Sequence, residues 1–313
     1  MPGGSGFYRA VDRAFDLAAA LNGTNLALQT MDGLRTTAVK ESNAKDCEAL
    51  REVWTTLYPR GDEPPPLVTP DKPDPLRAQE GKEGWAELGF QRKCSPSTDF
   101  RDMGALALRQ FAHFCEVRRD QALKVVSQTS LPYKGVPLAL VSIAMTRWVR
   151  DLAQDRKLLV FFAPAGRMWR SPSEGSRAKA AAEGAKKLAL VAADLVHAAL
   201  MSAFLDDWFA APPANVLAFE ARFKQWKGPI EAQLMSSPGG TPAMLQDAAN
   251  SLQRSVQDVA HDVMGQLGKM DEARARGEGP SEVPEGHPAV SGGSCPFSSG
   301  GVPAPTTSVC PFG

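Results

Sequence analysis

One arginine in this 313-residue chain stands where a charged side chain could do chemistry. Arg101 sits in Pro96-Ser97-Thr98-Asp99-Phe100-Arg101-Asp102-Met103-Gly104-Ala105. At helical spacing its neighbours are Ser97, Thr98, Gly104 and Ala105, all small and none a carboxylate that could tie it into a surface pair. Pro96 to Asp99 reads as a stop followed by a cap, with Asp99 the capping residue and a helix starting at Phe100. Arg101 then falls in the first turn, where the helix dipole disfavours a cation by ~0.3–1 kcal/mol. On a helical wheel Phe100, Met103, Ala107, Phe111 and Phe114 form the buried arc, and Arg101 lies at its border. Two readings follow: a guanidinium that a partner can approach closely, or one that snorkels along the core edge. Asp102 lowers the positive field beside it.

The remaining candidates for chemistry are weaker. His113, His197, His261 and His287 are scattered without metal-ligand spacing, so no metal site is expected. Cys94 and Cys115 flank the Arg101 segment, with no His or Asp pattern that would make either a nucleophile. The end of the chain repeats Ser294-Cys295-Pro296-Phe297 and Val309-Cys310-Pro311-Phe312. Cys295 and Cys310 are candidate lipidation sites, a haem- or metal-responsive pair, docking-peptide residues, or incidental thiols in a disordered tail. Pro311 and the final Gly313 fit prenylation poorly.

Helices must position these residues, because strand signals are scarce throughout; the expected class is all-α, one multi-helix orthogonal, bundle-like domain with an extra C-terminal helix. Steps of three and four through Phe7, Val11, Phe15, Ala18 and Leu21 predict a helix over 6–21 that Asn22-Gly23 ends. Cys47, Leu50, Val53, Trp54 and Leu57 predict another over 44–58. Six prolines in 61–75 read as an extended loop. Residues 120–135 read as a break around Leu131 to Gly135, followed by a central helix over 137–155, apolar nearly all round. Residues 158–166 read as a short apolar run closed by Pro164 and Gly166, and 167–187 as a basic, mobile connection. Helix resumes over 178–209, and a further segment from Ala214 should break or kink at Gly228-Pro229. A linker at 236–242 precedes a heptad-like helix over 243–275. The expected organisation is 1–40 as N-terminal helix and linker, 45–235 as the domain, 243–275 as the C-terminal helix, and 276–313 as a Gly/Pro/Ser-rich tail without fixed structure.

Composition narrows the partners. Lys plus Arg equals Asp plus Glu at 35 each, so no global field recruits nucleic acid, and none is expected. Five cysteines without regular spacing fit a reducing compartment. No span of about 18 apolar residues is evident, the start lacks signal-peptide order, and Pro2 excludes N-myristoylation. The expectation is a cytoplasmic protein with no transmembrane segment, for which the basic 167–187 connection could add peripheral membrane contact.

Trp85-x-x-x-Gly89-Phe90-Gln91, followed by Pro96-x-Thr98-Asp99-Phe100-Arg101-x-x-Gly104-x-Leu106, resembles the signature of the ELMO (engulfment and motility) domain family. Pro137-Leu138 and Val141-Ser142-Ile143-x-x-Thr146 resemble its central apolar helix, and 204–208 and 219–234 its last two helices more loosely. The likeness covers about 45–235 and is closest to the short ELMO-domain-containing proteins. It implies an all-helical fold and, for those short members, a GTPase-activating role toward Arf and Arf-like small GTPases. The arginine after Asp-Phe is the one that activity requires there, the position of Arg101. In the longer scaffolding members, which partner Rac exchange factors, it is not arginine, so a non-catalytic adaptor in cytoskeletal or membrane-trafficking assemblies is the alternative.

A guanidinium inserted in trans neutralises charge building on the transferring phosphoryl group and typically contributes ~10³–10⁵ in rate. GTP and Mg²⁺ then belong to the partner, this chain needs no cofactor, and it regulates an enzyme rather than being a self-contained one. Around Arg101 the resemblance gives supporting positions to Trp85, Gly89, Phe90, Gln91, Thr98, Asp99, Phe100 and Gly104. Trp85 and Phe90 are expected to pack beneath the turn, and Gln91 to brace it by a backbone hydrogen bond. Asp102 stands where the family commonly has Gly, and Ala144 where its central helix often has Asn.

Overall fold

In the computed structural model the described residues are 4–58, 63–65, 67, 84–92, 95–129, 135–169, 176–213, 218–236 and 241–276. Among them the regular structure is helical, with nine α-helices and no strand, which is the all-α class that the residue patterns predict. They are α1 (Gly4–Arg35), α2 (Ala44–Leu57), α3 (Gly104–Val117), α4 (Arg119–Thr129), α5 (Leu138–Gln154), α6 (Leu159–Trp169), α7 (Ser176–Ala210), α8 (Phe219–Ser236) and α9 (Gln246–Ala275). The chain separates into two units, Met1–Asp271 and Glu272–Gly313; of the second, only the end of α9 and Arg276 are described.

The apolar spacing of α2 works as predicted. Asn43 caps it by accepting the Lys45 N–H at 2.9 Å, and Cys47, Leu50, Val53, Trp54 and Leu57 are all buried against α3 and its neighbours. Helix α5 is the expected central helix, buried from Leu138 to Ala153 on most sides. At one end of the core Trp54, Trp85, Phe90, Phe100 and Phe111 meet largely edge to face; at the other, Trp148, Phe204, Phe219, Phe223 and Trp226 do the same.

Several local readings are overturned by tertiary contacts. Helix α1 does not stop at Asn22-Gly23 but continues to Arg35. Gly23 is where α1 crosses α6: a Cβ there would stand 1.8 Å from the Phe162 carbonyl oxygen, and one on Gly166 would stand 1.8 Å from that of Ala19. The run 158–166 is therefore not a closed-off segment. It is most of α6, with Pro164 inside the helix and Gly166 facing Gly23. The basic stretch expected to be a mobile connection is helical from Ser176, with Ala180, Ala181 and Ala185 buried. Helix α4 fills 119–129, inside the stretch 120–135 that reads as a break. Helix α8 runs on through Gly228-Pro229 rather than breaking there. The proline-rich loop, the Leu131–Pro132–Tyr133–Lys134 break, most of the 236–242 linker, Cys94 and the 277–313 tail lie almost entirely outside the described residues.

The Gly23–Gly166 crossing predicts a sharp contrast within one helix. Gly23→Val should destabilise the protein by about 3 kcal/mol or more, because neither backbone can retreat without opening the core. Gly33→Ala, with nothing within 4 Å of the added carbon, should change stability by about 1 kcal/mol or less. Denaturant midpoints of the two variants measured side by side would check this.

The stretch Ala178–Ala210 of α7 has the length and apolar composition of a membrane span, contrary to the expectation that no such stretch exists. Its most apolar window is 72% buried inside the protein, as a core helix would be. Its polar interruptions have partners inside the protein on one atom each: Asp194 Oδ2 takes two N–H groups of Arg109, at 2.7 and 2.9 Å, and His197 Nε2 lies 3.2 Å from both the carbonyl and the hydroxyl of Ser142, while Asp194 Oδ1 and His197 Nδ1 are buried without a hydrogen-bond partner among the described residues. Burial drives the His197 pKa down to about 3, so the ring stays neutral when folded. The unfolded chain takes up a proton near pH 6.5 and the folded one does not, so stability from this residue is lost as pH falls below 6.5. At pH 5 the loss should be about 2 kcal/mol, and His197→Gln should flatten that part of the stability–pH curve in urea titrations.

Helix α9 docks on the domain through its first half. Leu245, in the 3-10 turn just before it, and Ala248, Leu252 and Val259 are buried, Lys187 pairs with Asp262 at 2.8 Å, and Val263 approaches Gly184 of α7.

Candidate functional site

The segment ahead of α3 is not the α-helical start that the capping pattern predicts. Pro96–Arg101 forms a 3-10 turn, and α3 begins only at Gly104, after Met103. Asp99 does not cap a helix; its Oδ2 accepts the backbone N–H of Gln91 at 2.7 Å, pinning the strand-like entry of the chain to the turn. Burial pushes the Asp99 carboxyl up from its ordinary range, opposed by that hydrogen bond and by Arg101 and Arg92. The reason for the late helix start is Gly104. Its φ of +52 redirects the chain, and Ala105 N–H is taken by the Thr37 carbonyl at 2.9 Å.

Beneath the turn is the aromatic bracket. Trp85 is fully buried and donates its ring N–H to the Pro65 carbonyl at 3.2 Å. Phe90 packs edge-on to Trp85, Phe100 and Phe111, with centroids 6.1, 5.6 and 5.8 Å apart. Gly89, at φ +86, lies against the backbone of Pro137 and Leu138, too close for a side chain. Thr98 donates its hydroxyl to the Ser95 carbonyl at 2.9 Å, and Ser97 N–H reaches Glu41 at 3.1 Å.

Arg101 therefore ends a 3-10 turn whose inner side, Phe100, is anchored in the core, while its own side chain is exposed. Its Nε donates to the Thr98 carbonyl at 2.7 Å, and no described carboxylate pairs with it. It is neither snorkelling into the core nor held in an internal ion pair. It lines a cavity of about 430 Å³ together with Arg35, Thr36, Ser97, Phe100, Asp102 and Gly104.

Asp102 has two partners that local sequence could not reveal. Arg147 of α5 grips Oδ2 at 2.6 Å, and Arg35 at the end of α1 donates Nε to the Asp102 carbonyl at 3.1 Å with Nη2 3.7 Å from Oδ1. These partners are 45 and 67 residues away in sequence, beyond any helical spacing rule. Two guanidinium groups thus hold one carboxylate, and the negative charge of Asp102 is compensated on both sides.

Elsewhere, Arg109, His113, Glu52, Glu116 and Asp194 line a second cavity of about 650 Å³. Burial lowers the His113 pKa and raises that of Asp194, Arg109 opposing the second shift. Among the described residues no cluster of His, Cys, Asp and Glu could hold a metal ion. Cys115 is wholly buried and its thiol pKa is pushed up, the opposite of a reactive nucleophile. Cys295 and Cys310 lie outside the described residues.

Similar proteins point the same way as the signature. ELMO domain-containing protein 2 from Homo sapiens is 29% identical over 128 residues, 41% of this chain and 39% of that protein. Its Mus musculus counterpart is 28% identical over 128 residues, with the same shares of the two chains covered. The Bos taurus protein is 35% identical over 92 residues, 29% of this chain and 30% of its own length. The chain thus spans well under half the length of the relatives it matches, and no solved structure matches it. The sequence model of the ELMO/CED-12 family matches residues 29–223, which takes in α2 to α7 and the Arg101 turn, and the chain belongs to that family.

Proposed function

We propose that this protein is a regulatory module that works by binding a small GTPase of the Arf or Arf-like class, not a self-contained enzyme. Family membership supports the regulatory role, and the exposed guanidinium of Arg101 supports a protein partner carrying phosphate. In its finer form the proposal is that Arg101 enters the GTPase's nucleotide site and accelerates hydrolysis. The observation that carries it is a guanidinium exposed on an anchored turn with no described carboxylate paired to it. A finger needs that combination: a rigid base, a free fork and little to unpair before it inserts.

The adaptor reading has its own support. Arg101 already spends Nε on Thr98, and Asp102 stands beside it where the family commonly has Gly. A module of this kind would hold the GTPase without changing its rate. Single-turnover hydrolysis by a panel of GTP-loaded Arf-family GTPases, with binding measured in parallel, separates the two. Binding with acceleration supports the finger, binding without it supports the adaptor, and neither with any GTPase defeats the proposal.

A further inference from the structure

We infer that the cavity beside Arg101 is a phosphate-binding site built from two guanidiniums, Arg35 and Arg101, and that Arg147 makes it usable by cancelling Asp102. For its biological partner the inference rests on the proposed function; for its chemistry it rests on the charges alone. Arg35 and Arg101 both line the 430 Å³ cavity, with the Ser97 hydroxyl beside them, and so does Asp102. An uncompensated carboxylate there would repel a phosphate. Arg147 does not line the cavity, but it takes Asp102 Oδ2 at 2.6 Å through both Nε and Nη2. The cavity's remaining charge is then that of its two guanidiniums. Arg35 is fixed by two contacts to Asp102, at 3.1 and 3.7 Å, so its place at the rim is set by the same residue that Arg147 neutralises.

An exposed pair of this kind contributes little to stability, roughly 0–1 kcal/mol, so folding alone gives little reason to assemble two arginines around one aspartate beside a third. A planar fork suited to phosphate does. Arg35 is a ligand-contacting residue in this account, and Arg147 a positioning residue that acts through Asp102.

The test is a titration of the full chain with inorganic pyrophosphate, following the arginine Nε–H resonances by NMR. Those of Arg35 and Arg101 should shift together and saturate. Arg35→Gln should weaken affinity about tenfold. Arg147→Gln should weaken it about threefold in the wild-type background and not at all when Asp102→Asn is already present, since the charge it cancels is gone. Equal effects of Arg147→Gln in both backgrounds, or no saturable shift at Arg35 and Arg101, would overturn the inference. Repeating the variants in GTPase hydrolysis distinguishes a nucleotide from a free phosphate as ligand. Pyrophosphate binding without GTPase acceleration would sustain the site and sink the finger; acceleration without pyrophosphate binding would do the reverse.

Discussion

Arg101→Ala is expected to lower the accelerated hydrolysis rate on the cognate GTPase by about 10³-fold or more while changing affinity for the GTP-bound form only a few-fold. The asymmetry follows from the position of the side chain. Arg101 is exposed and bonded only to its own turn, so removing it takes away no core contact and leaves the docking surface in place. Its contribution would come only in the transition state, where charge develops on the phosphoryl oxygens. Arg101→Lys keeps the charge but loses the fork, and it should recover little of the rate. A loss of binding equal to the loss of rate would instead mark Arg101 as a docking residue.

Gly104→Ala should be the most damaging single methyl near the site. A side chain at φ +52 is strained, and its Cβ would stand 2.3 Å from the Arg35 carbonyl oxygen and 2.5 Å from that of Thr37. Both are backbone atoms, so relief means moving the end of α1 or the start of α3. Either displacement drags the turn carrying Arg101, since Ala105 N–H and the Thr37 carbonyl hold the two together. The expected outcome is about 2–4 kcal/mol of lost stability together with loss of function beyond what the unfolded fraction explains. Chemical denaturation and hydrolysis on the same preparation would check it; native stability with native rate would refute it.

How far the sequence reaches can be seen at particular residues. Helices α2, α5 and α7 follow from apolar spacing because each buries one stripe, or nearly all sides, against a single core. The buried arc from Phe100 to Phe114 is legible for the same reason, whereas the aromatic bracket under the turn follows from the resemblance to the family signature. Where local signals mislead, a distant contact has overruled them. Gly23 and Gly166 read as stops, but each is a point where two backbones touch. Asp99 reads as a cap, but its carboxylate is claimed by Gln91 N–H, which frees the chain to form a 3-10 turn. The partners of Asp102 lie on α1 and α5, and no spacing rule within the turn could name them. The apolar length of α7 is interrupted by Asp194 and His197, each of which finds a partner for one polar atom on α3 or α5.

The most direct measurement of the central claim compares full-length protein binding to the GTPase loaded with GTP and loaded with GDP plus aluminium fluoride, a mimic of the transferring phosphoryl group. A finger predicts much tighter binding to the mimic, and loss of that preference in Arg101→Ala. Equal affinity for the two forms, or a preference that survives without Arg101, would contradict it.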